Sequence, residues 1–290
     1  MFNFLLRFTF PLRSPLAASI LTTFLCCLAT VSAQTQPNPA GSAQAPVTAT
    51  PMTPKSDSPT NTVQEFYKAM RERRFRDALM MTNLSAAVDK LSAAQMADLT
   101  PDFEPMASRV PEKIDLNGEQ ISGSLASVFV KAKDPLTGEL KIDEVKMRRE
   151  NNAWIILTGD QETEAQVKRE GSGYFFNLRM EARQADVEDA MKEIMKAELV
   201  YNLQHKGEYA DLQALANEKL IGPEVLNAEL MGYRFSSQIS ADKKKYAFNA
   251  EPVQYGKTGK LSYLLTSGDA KTGPRIQKDD KNGQPLGSKN

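Results

Sequence analysis

The apolar residues change their spacing twice along this chain, each time from a helical stripe to a series of strands. In the first instance Val63, Phe66, Tyr67 and Met70 recur at i, i+3, i+4 and i+7, the stripe of an amphipathic helix. Thr62-x-x-Glu65 supplies a capping box, with Asn61 as a rival cap. A second short helix turns Phe75, Ala78 and Leu79 inward, and a helical or irregular stretch follows to about Ser108. Beyond it the period falls to 2: Ile114/Leu116 and Ile121, then Leu125 to Val130, Leu140/Ile142 with Val145/Met147, and Trp154 to Leu157. Asn117-Gly118, Ser122-Gly123, Thr137-Gly138 and Asn151-Asn152 punctuate these runs as turns. Helices followed by four meandering strands predict an α+β unit over residues 60–160, with helices on one face of an antiparallel sheet.

The second change begins with a long helix from about Tyr174 to His205. Its stripe is Val187, Ala190, Met191, Ile194, Ala197 and Tyr201, with Glu188, Lys192 and Lys196 on the solvated face. Gly207 terminates it. A short helix near Asp211–Lys219 and strands at Tyr233–Ile239, Tyr246–Ala250 and Leu261–Thr266 complete a second α+β unit, residues 174–278. Lys243-Lys244-Lys245 is expected at a hairpin turn. The charged stretch 161–173, ending in Gly171-Ser172-Gly173, reads as a linker, and residues 279–290 as a disordered tail.

Charge and cysteine content narrow the function classes. Lys+Arg and Asp+Glu both total 36, so no net charge draws the chain to nucleic acid. Arg7 and Arg13 precede an apolar run from Leu16 to Val31, which ends at Val31-Ser32-Ala33, small residues at the positions a signal peptidase reads. Residues 1–33 are therefore expected to be an export signal, with an uncleaved membrane anchor as the alternative. Cleavage would remove both cysteines, Cys26 and Cys27, and leave 34 basic against 36 acidic residues. No stable membrane span is expected after it. A thiol-free exported chain holds its fold by packing alone. Residues 34–59, with six prolines and no aromatic, read as a disordered tether.

Two resemblances follow from these residues. Thr62-Val63-x-x-Phe66-Tyr67-x-Ala69-Met70, Phe75-x-x-Ala78-Leu79 and the closing Val145-Lys146-Met147-Arg148-x-Glu150-Asn151-Asn152-x-Trp154-Ile155 resemble the nuclear transport factor 2-like domains of exported bacterial proteins. That resemblance implies a cone of curved antiparallel sheet and helices around a pocket, in a family that spans isomerases, dehydratases and non-catalytic modules. Ala197-Glu198-x-x-Tyr201, Gly207-Glu208-Tyr209-Ala210-Asp211-Leu212-x-x-Leu215, Gly232-Tyr233-Arg234-Phe235, Ala250-Glu251-Pro252 and Tyr255-Gly256-Lys257-Thr258-Gly259 with Tyr263 are similar to the globular head of type IV pilins and pseudopilins. The chain departs from pilins in lacking their hydrophobic N-terminal helix before Val187, and in its closing strand, where Ser267 to Pro274 are inserted before Arg275-Ile276. The resemblance implies a pilin-like head reused as a module.

No convergent catalytic set emerges. Residues 60–160 contain no histidine, so an acid–base site there would need a carboxylate with a tyrosine or a neutral acid. Tyr67 sits on the apolar stripe, where packing is the expected role. Asp89, Asp98, Asp102 and Asp143 are available, but nothing in the sequence places two together. Trp154 is expected to cover the sheet. His205, near a helix C-terminus, is expected to act as a cation on the helix dipole rather than as a metal ligand. Asp279-Asp280-x-Asn282-Gly283 offers oxygen ligands but lacks the calcium-loop order. No catalytic residue, cofactor site or metal ligand is assigned. The expected function is a non-catalytic exported module of the bacterial envelope, periplasmic or extracellular, that engages an envelope protein. The alternatives are a small apolar ligand or an isomerase/hydrolase-type activity in the pocket of residues 60–160, and a component of a pilus or type II secretion-like assembly.

Overall fold

The computed structural model describes residues 58–133, 138–269 and 271–287. The expected export signal and nearly all of the expected Pro-rich tether lie outside them, as does Thr137. The chain is α+β, built as two units that each set helices against a four-stranded antiparallel sheet.

The first unit opens with α1 (Pro59–Arg71), which buries Val63, Phe66, Tyr67 and Met70 as the stripe requires. The capping box at Thr62 and Glu65 does not form. The cap lies four residues earlier, because Ser58 takes extended geometry, accepts from the Asn61 amide and precedes a proline suited to the first turn. Ser58 and Pro59, which the sequence reading assigns to the tether, thus belong to the start of α1. α2 (Phe75–Met80) and α3 (Ser85–Val88) follow, then α4 (Ala93–Ala107). α4 carries a complete capping box, with Ser92 Oγ accepting from Gln95 N and Gln95 Oε1 accepting from Ser92 N. Ser92→Ala is expected to lower folding stability by about 1 kcal/mol in urea titration, and Gln95→Ala by less.

Strands β1 (Asp115–Ser122), β2 (Leu125–Lys133), β3 (Leu140–Glu150) and β4 (Ala153–Ile156) pair in chain order. Asn117-Gly118 is not a turn. It is a bulge within β1, where register shifts between Leu116 and Glu119 and Gly118 adopts a φ of +107°. Asn151 and Asn152 do form the β3–β4 turn, both with positive φ, as a two-residue hairpin with right-handed strand twist requires. A bridge ties Thr82 to Ile156, so β4 is anchored to the α2–α3 connection. The core is continuous: Val63, Tyr67, Leu79, Leu99 and Phe103 from the helices meet Val128, Val130, Val145, Met147, Trp154 and Ile156 from the sheet.

Residues 161–173 are not a linker. Gln161–Glu170 form α5, capped by Asp160, and a single 3₁₀ turn, Gly171–Gly173, joins it to the next helix. Its polar sequence hides one apolar anchor, Val167, which is fully buried in the first core. The next helix, α6 (Tyr174–Gln204), runs through 31 residues and serves both units. Tyr174 and Phe175 complete the first core, with Phe175 edge-on to Phe103 at 5.1 Å between ring centres. Val187, Ala190, Met191, Ile194 and Ala197 begin the second. The boundary between units therefore falls inside α6 and not at Tyr174.

The second unit adds α7 (Leu212–Asn217), α8 (Ala228–Met231) and strands β5 (Tyr233–Ile239), β6 (Tyr246–Pro252), β7 (Leu261–Thr266) and β8 (Arg275–Asp280), paired in chain order. Tyr233, Phe248, Tyr263 and Leu265 face α6. The lysines 243–245 lie in the β5–β6 connection, as expected. Asp279 and Asp280 are not tail residues. They pair with Ser262 and Leu261 in β8, an edge strand whose charged alternation hides its character. Among the described residues no helix is long and apolar enough to cross a membrane.

Candidate functional site

Of the four carboxylates singled out in the sequence, Asp98 and Asp102 come together, and Asp89 and Asp143 stand apart from them. Asp98 and Asp102 lie one turn apart on α4 and both hold Arg179 of α6. Arg179 Nε donates to Asp102 Oδ2 at 2.7 Å, and its terminal nitrogens reach Asp98 Oδ1 at 3.3 Å and the Asp98 carbonyl at 2.7 Å. Burial pushes the Asp102 carboxyl up, and the positive charge of Arg179 pulls it back only in part. This buried ion cluster fastens the first unit to the shared helix. Asp89 is exposed at the end of α3.

Asp143 lies near Tyr67. Tyr67 is 2% exposed, and its hydroxyl is pushed well above the usual range, first by burial and then by the Asp143 charge. A hydroxyl so resistant to ionisation is a core group. Trp154 is buried beneath the Arg149 guanidinium, 5.8 Å from the ring centre. Tyr67 and Trp154 are thus among the side chains filling the core of the first unit. Phe129 takes no part in the filling: it is half-buried, and its neighbours Val128 and Val130 are the ones that enter the core.

Among the described residues an open cleft lies at one end of the first sheet. A cleft of about 950 Å³ is lined by the α4–β1 connection from Ser108 to Asp115, by Lys131, Ala132 and Lys133 at the end of β2, and by Leu140 at the start of β3. The register explains the grouping, since Asp115 pairs with Lys131 and Lys133 with Leu140. Arg71 of α1 pins the connection by donating to the Pro111 carbonyl at 3.2 Å. The volume falls within the range of small-molecule sites. Its wall is mixed: Val110, Pro111, Ile114 and Leu140 are apolar, while Lys113, Lys131 and Lys133 stand against Glu112 and Asp115. Neither Tyr67 nor Asp143 lines it. No sequence pattern pointed to this cleft, because its residues come from three separate segments with no shared motif.

A second feature escaped the sequence reading. Glu198, on the core side of α6, is fully buried, with Oε2 accepting from the Ala210 amide at 3.2 Å and Oε1 without a partner. Burial pushes its carboxyl up to about 7, and Asp211 adds to the rise. Its position four residues after Ile194 and three before Tyr201 was the available signal, since it continues the apolar stripe.

His205 caps α6, stacks on Tyr201 at 3.8 Å and contacts Glu218 at 3.1 Å through Nε2. Asp280 accepts from the Tyr255 hydroxyl and from Asn282 N, and Asp279 pairs with Lys281. Among the described residues no group of three or more His, Cys, Asp or Glu side chains is placed to hold a metal ion.

No family model matches the chain, and no curated protein matches it. A crystal structure from Campylobacter jejuni, assigned as an NTF2-like transpeptidase, is similar at 12% identity, over 34% of this chain and 97% of that one, with a TM-score of 0.25.

Proposed function

We propose that this protein is a non-catalytic binding module of the bacterial envelope, exported by its N-terminal segment, whose first unit takes a small, largely apolar ligand in the cleft between residues 108–115 and the β2–β3 end of the sheet. The observation that supports this reading is the separation of the cleft from the tyrosine and aspartates that the sequence offered for acid–base chemistry. The cleft offers open volume and a partly apolar wall, whereas Tyr67 is packed in the core and Asp98 and Asp102 are ion-paired to Arg179. A general base must reach the proton it removes, and the two carboxylates that do line the cleft, Glu112 and Asp115, stand among three lysines. The sequence motifs of the first unit support a nuclear transport factor 2-like domain. Those of the second support a pilin-like head, here a helix shared with its neighbour rather than a filament stem.

Thermal unfolding of the purified mature chain against a panel of lipids and metabolites tests the reading. A ligand at 100 times its Kd is expected to stabilise by about 2.7 kcal/mol. Leu140→Asp, at a residue 59% exposed, is expected to abolish that shift while leaving the free protein's stability within about 0.5 kcal/mol. A panel with no hit, together with a protein partner recovered by crosslinking in envelope extracts, would move the function to the outer surfaces.

A further inference from the structure

The cleft's charged lining is specific enough to name a ligand class. Lys113, Lys131 and Lys133 contribute three ammonium groups against the two carboxylates of Glu112 and Asp115. Among the described residues none of these lysines forms an ion pair, although Lys68, Lys168, Lys192, Lys243, Lys278 and Lys281 all do. Lys131 and Lys133 lie two apart on β2 and so project to the same side of the strand, with Lys113 two residues before β1. Val110, only 9% exposed, and Ile114 floor the opposing connection, and Leu140 closes the apolar side. An apolar floor beside three ammonium groups that outnumber the two carboxylates favours a molecule with a hydrocarbon body and one anionic head.

We infer that the ligand is a single-chain amphipathic anion, a fatty-acid-like carboxylate or an alkyl phosphate, with its head on Lys113, Lys131 and Lys133 and its chain against Val110, Ile114 and Leu140. This inference rests on the cleft being a binding site. Glu112 and Asp115 keep the cleft from being a general anion trap, so inorganic phosphate alone binds far more weakly than the amphiphile.

Isothermal titration of the mature chain below the micelle threshold separates the possibilities, with dodecanoate, dodecyl phosphate, the neutral dodecanol and inorganic phosphate as probes. The expected result is binding of one or both anionic amphiphiles at least about tenfold tighter than dodecanol, the worth of roughly one close charge contact. The preference is expected to shrink with added salt. The triple change Lys113→Gln, Lys131→Gln, Lys133→Gln removes the preference and leaves dodecanol binding unchanged. Comparing the carboxylate with the phosphate identifies the head group. Equal affinity for the acid and the alcohol overturns the inference while the site stands. Tight binding that survives the triple change overturns the head-group placement. No binding by any amphiphile, with Leu140→Asp indistinguishable from the parent, overturns both this inference and the site on which it rests.

Discussion

Between about pH 5 and about pH 8 the protein is expected to lose about 2–3 kcal/mol of folding stability that the Glu198→Gln variant retains. The carboxyl is pushed from 4.5 to about 7 by burial. Below 4.5 both the folded and the unfolded chain hold the proton, and the contribution is fully present. Between the two values the folded chain still holds a proton that the unfolded chain has released. Stability therefore falls as pH rises through this window, and the loss is complete once pH passes the folded value. Glutamine copies the neutral acid in shape and can keep the acceptor for Ala210 N. Urea titrations of both proteins across the window, compared as a difference, isolate this group from the other carboxylates. Parallel pH profiles would show that Glu198 is solvated and that its pKa is ordinary. The Tyr246 hydroxyl also belongs to this neighbourhood, pushed up by its own burial and then by the Glu198 charge.

Arg179→Met is expected to cost about 3 kcal/mol, towards the lower end of the range for breaking a buried ion pair. The side chain of Arg179 is 7% exposed and that of Asp102 is 18%, so the substitution strands a largely dehydrated carboxylate. Asp98, at 41%, regains water and adds little. Adding Asp102→Asn to Arg179→Met is expected to restore more than half of the loss, since removing both charges ends the desolvation penalty. Urea midpoints measure the energies. Limited proteolysis near residues 161–173 measures the joint, and faster cleavage is expected in the single variant but not in the double. If the two variants were equally destabilised, packing of the long arginine stem would be the larger effect.

The sequence made some of this architecture legible and concealed the rest for identifiable reasons. The stripe at Val63, Phe66, Tyr67 and Met70 was readable because one face of α1 does nothing but pack. The Asn151-Asn152 hairpin was readable because few residues other than asparagine and glycine accept two successive positive φ angles. Gly118 carries the same residue-level sign as a turn, and only strand pairing distinguishes a bulge from it. α5 was hidden because a single buried valine suffices to dock a helix whose other positions face water. The end of β8 was hidden because an edge strand needs only one inward apolar residue, Ile276, so Asp279-Asp280 read as tail. The division between units was misplaced because Gly171-Ser172-Gly173 marks a turn before α6, while the core changes within a helix that carries no break. The cleft required three-dimensional proximity of residues up to 32 positions apart, Ser108 to Leu140, which no local pattern records.

α6 contributes Tyr174 and Phe175 to one core and Val187 through Ala197 to the other, without interruption. At 1.5 Å per residue its 31 residues make a rod about 46 Å long. A gene cut anywhere along that rod deprives one half of a structural wall, so neither half can be exchanged as an independent cassette. The same rod is a lever. A load applied to the second sheet reaches Phe103 and the Arg179 cluster directly. The cleft begins at Ser108, the residue that caps the end of α4, the helix carrying both of these contacts.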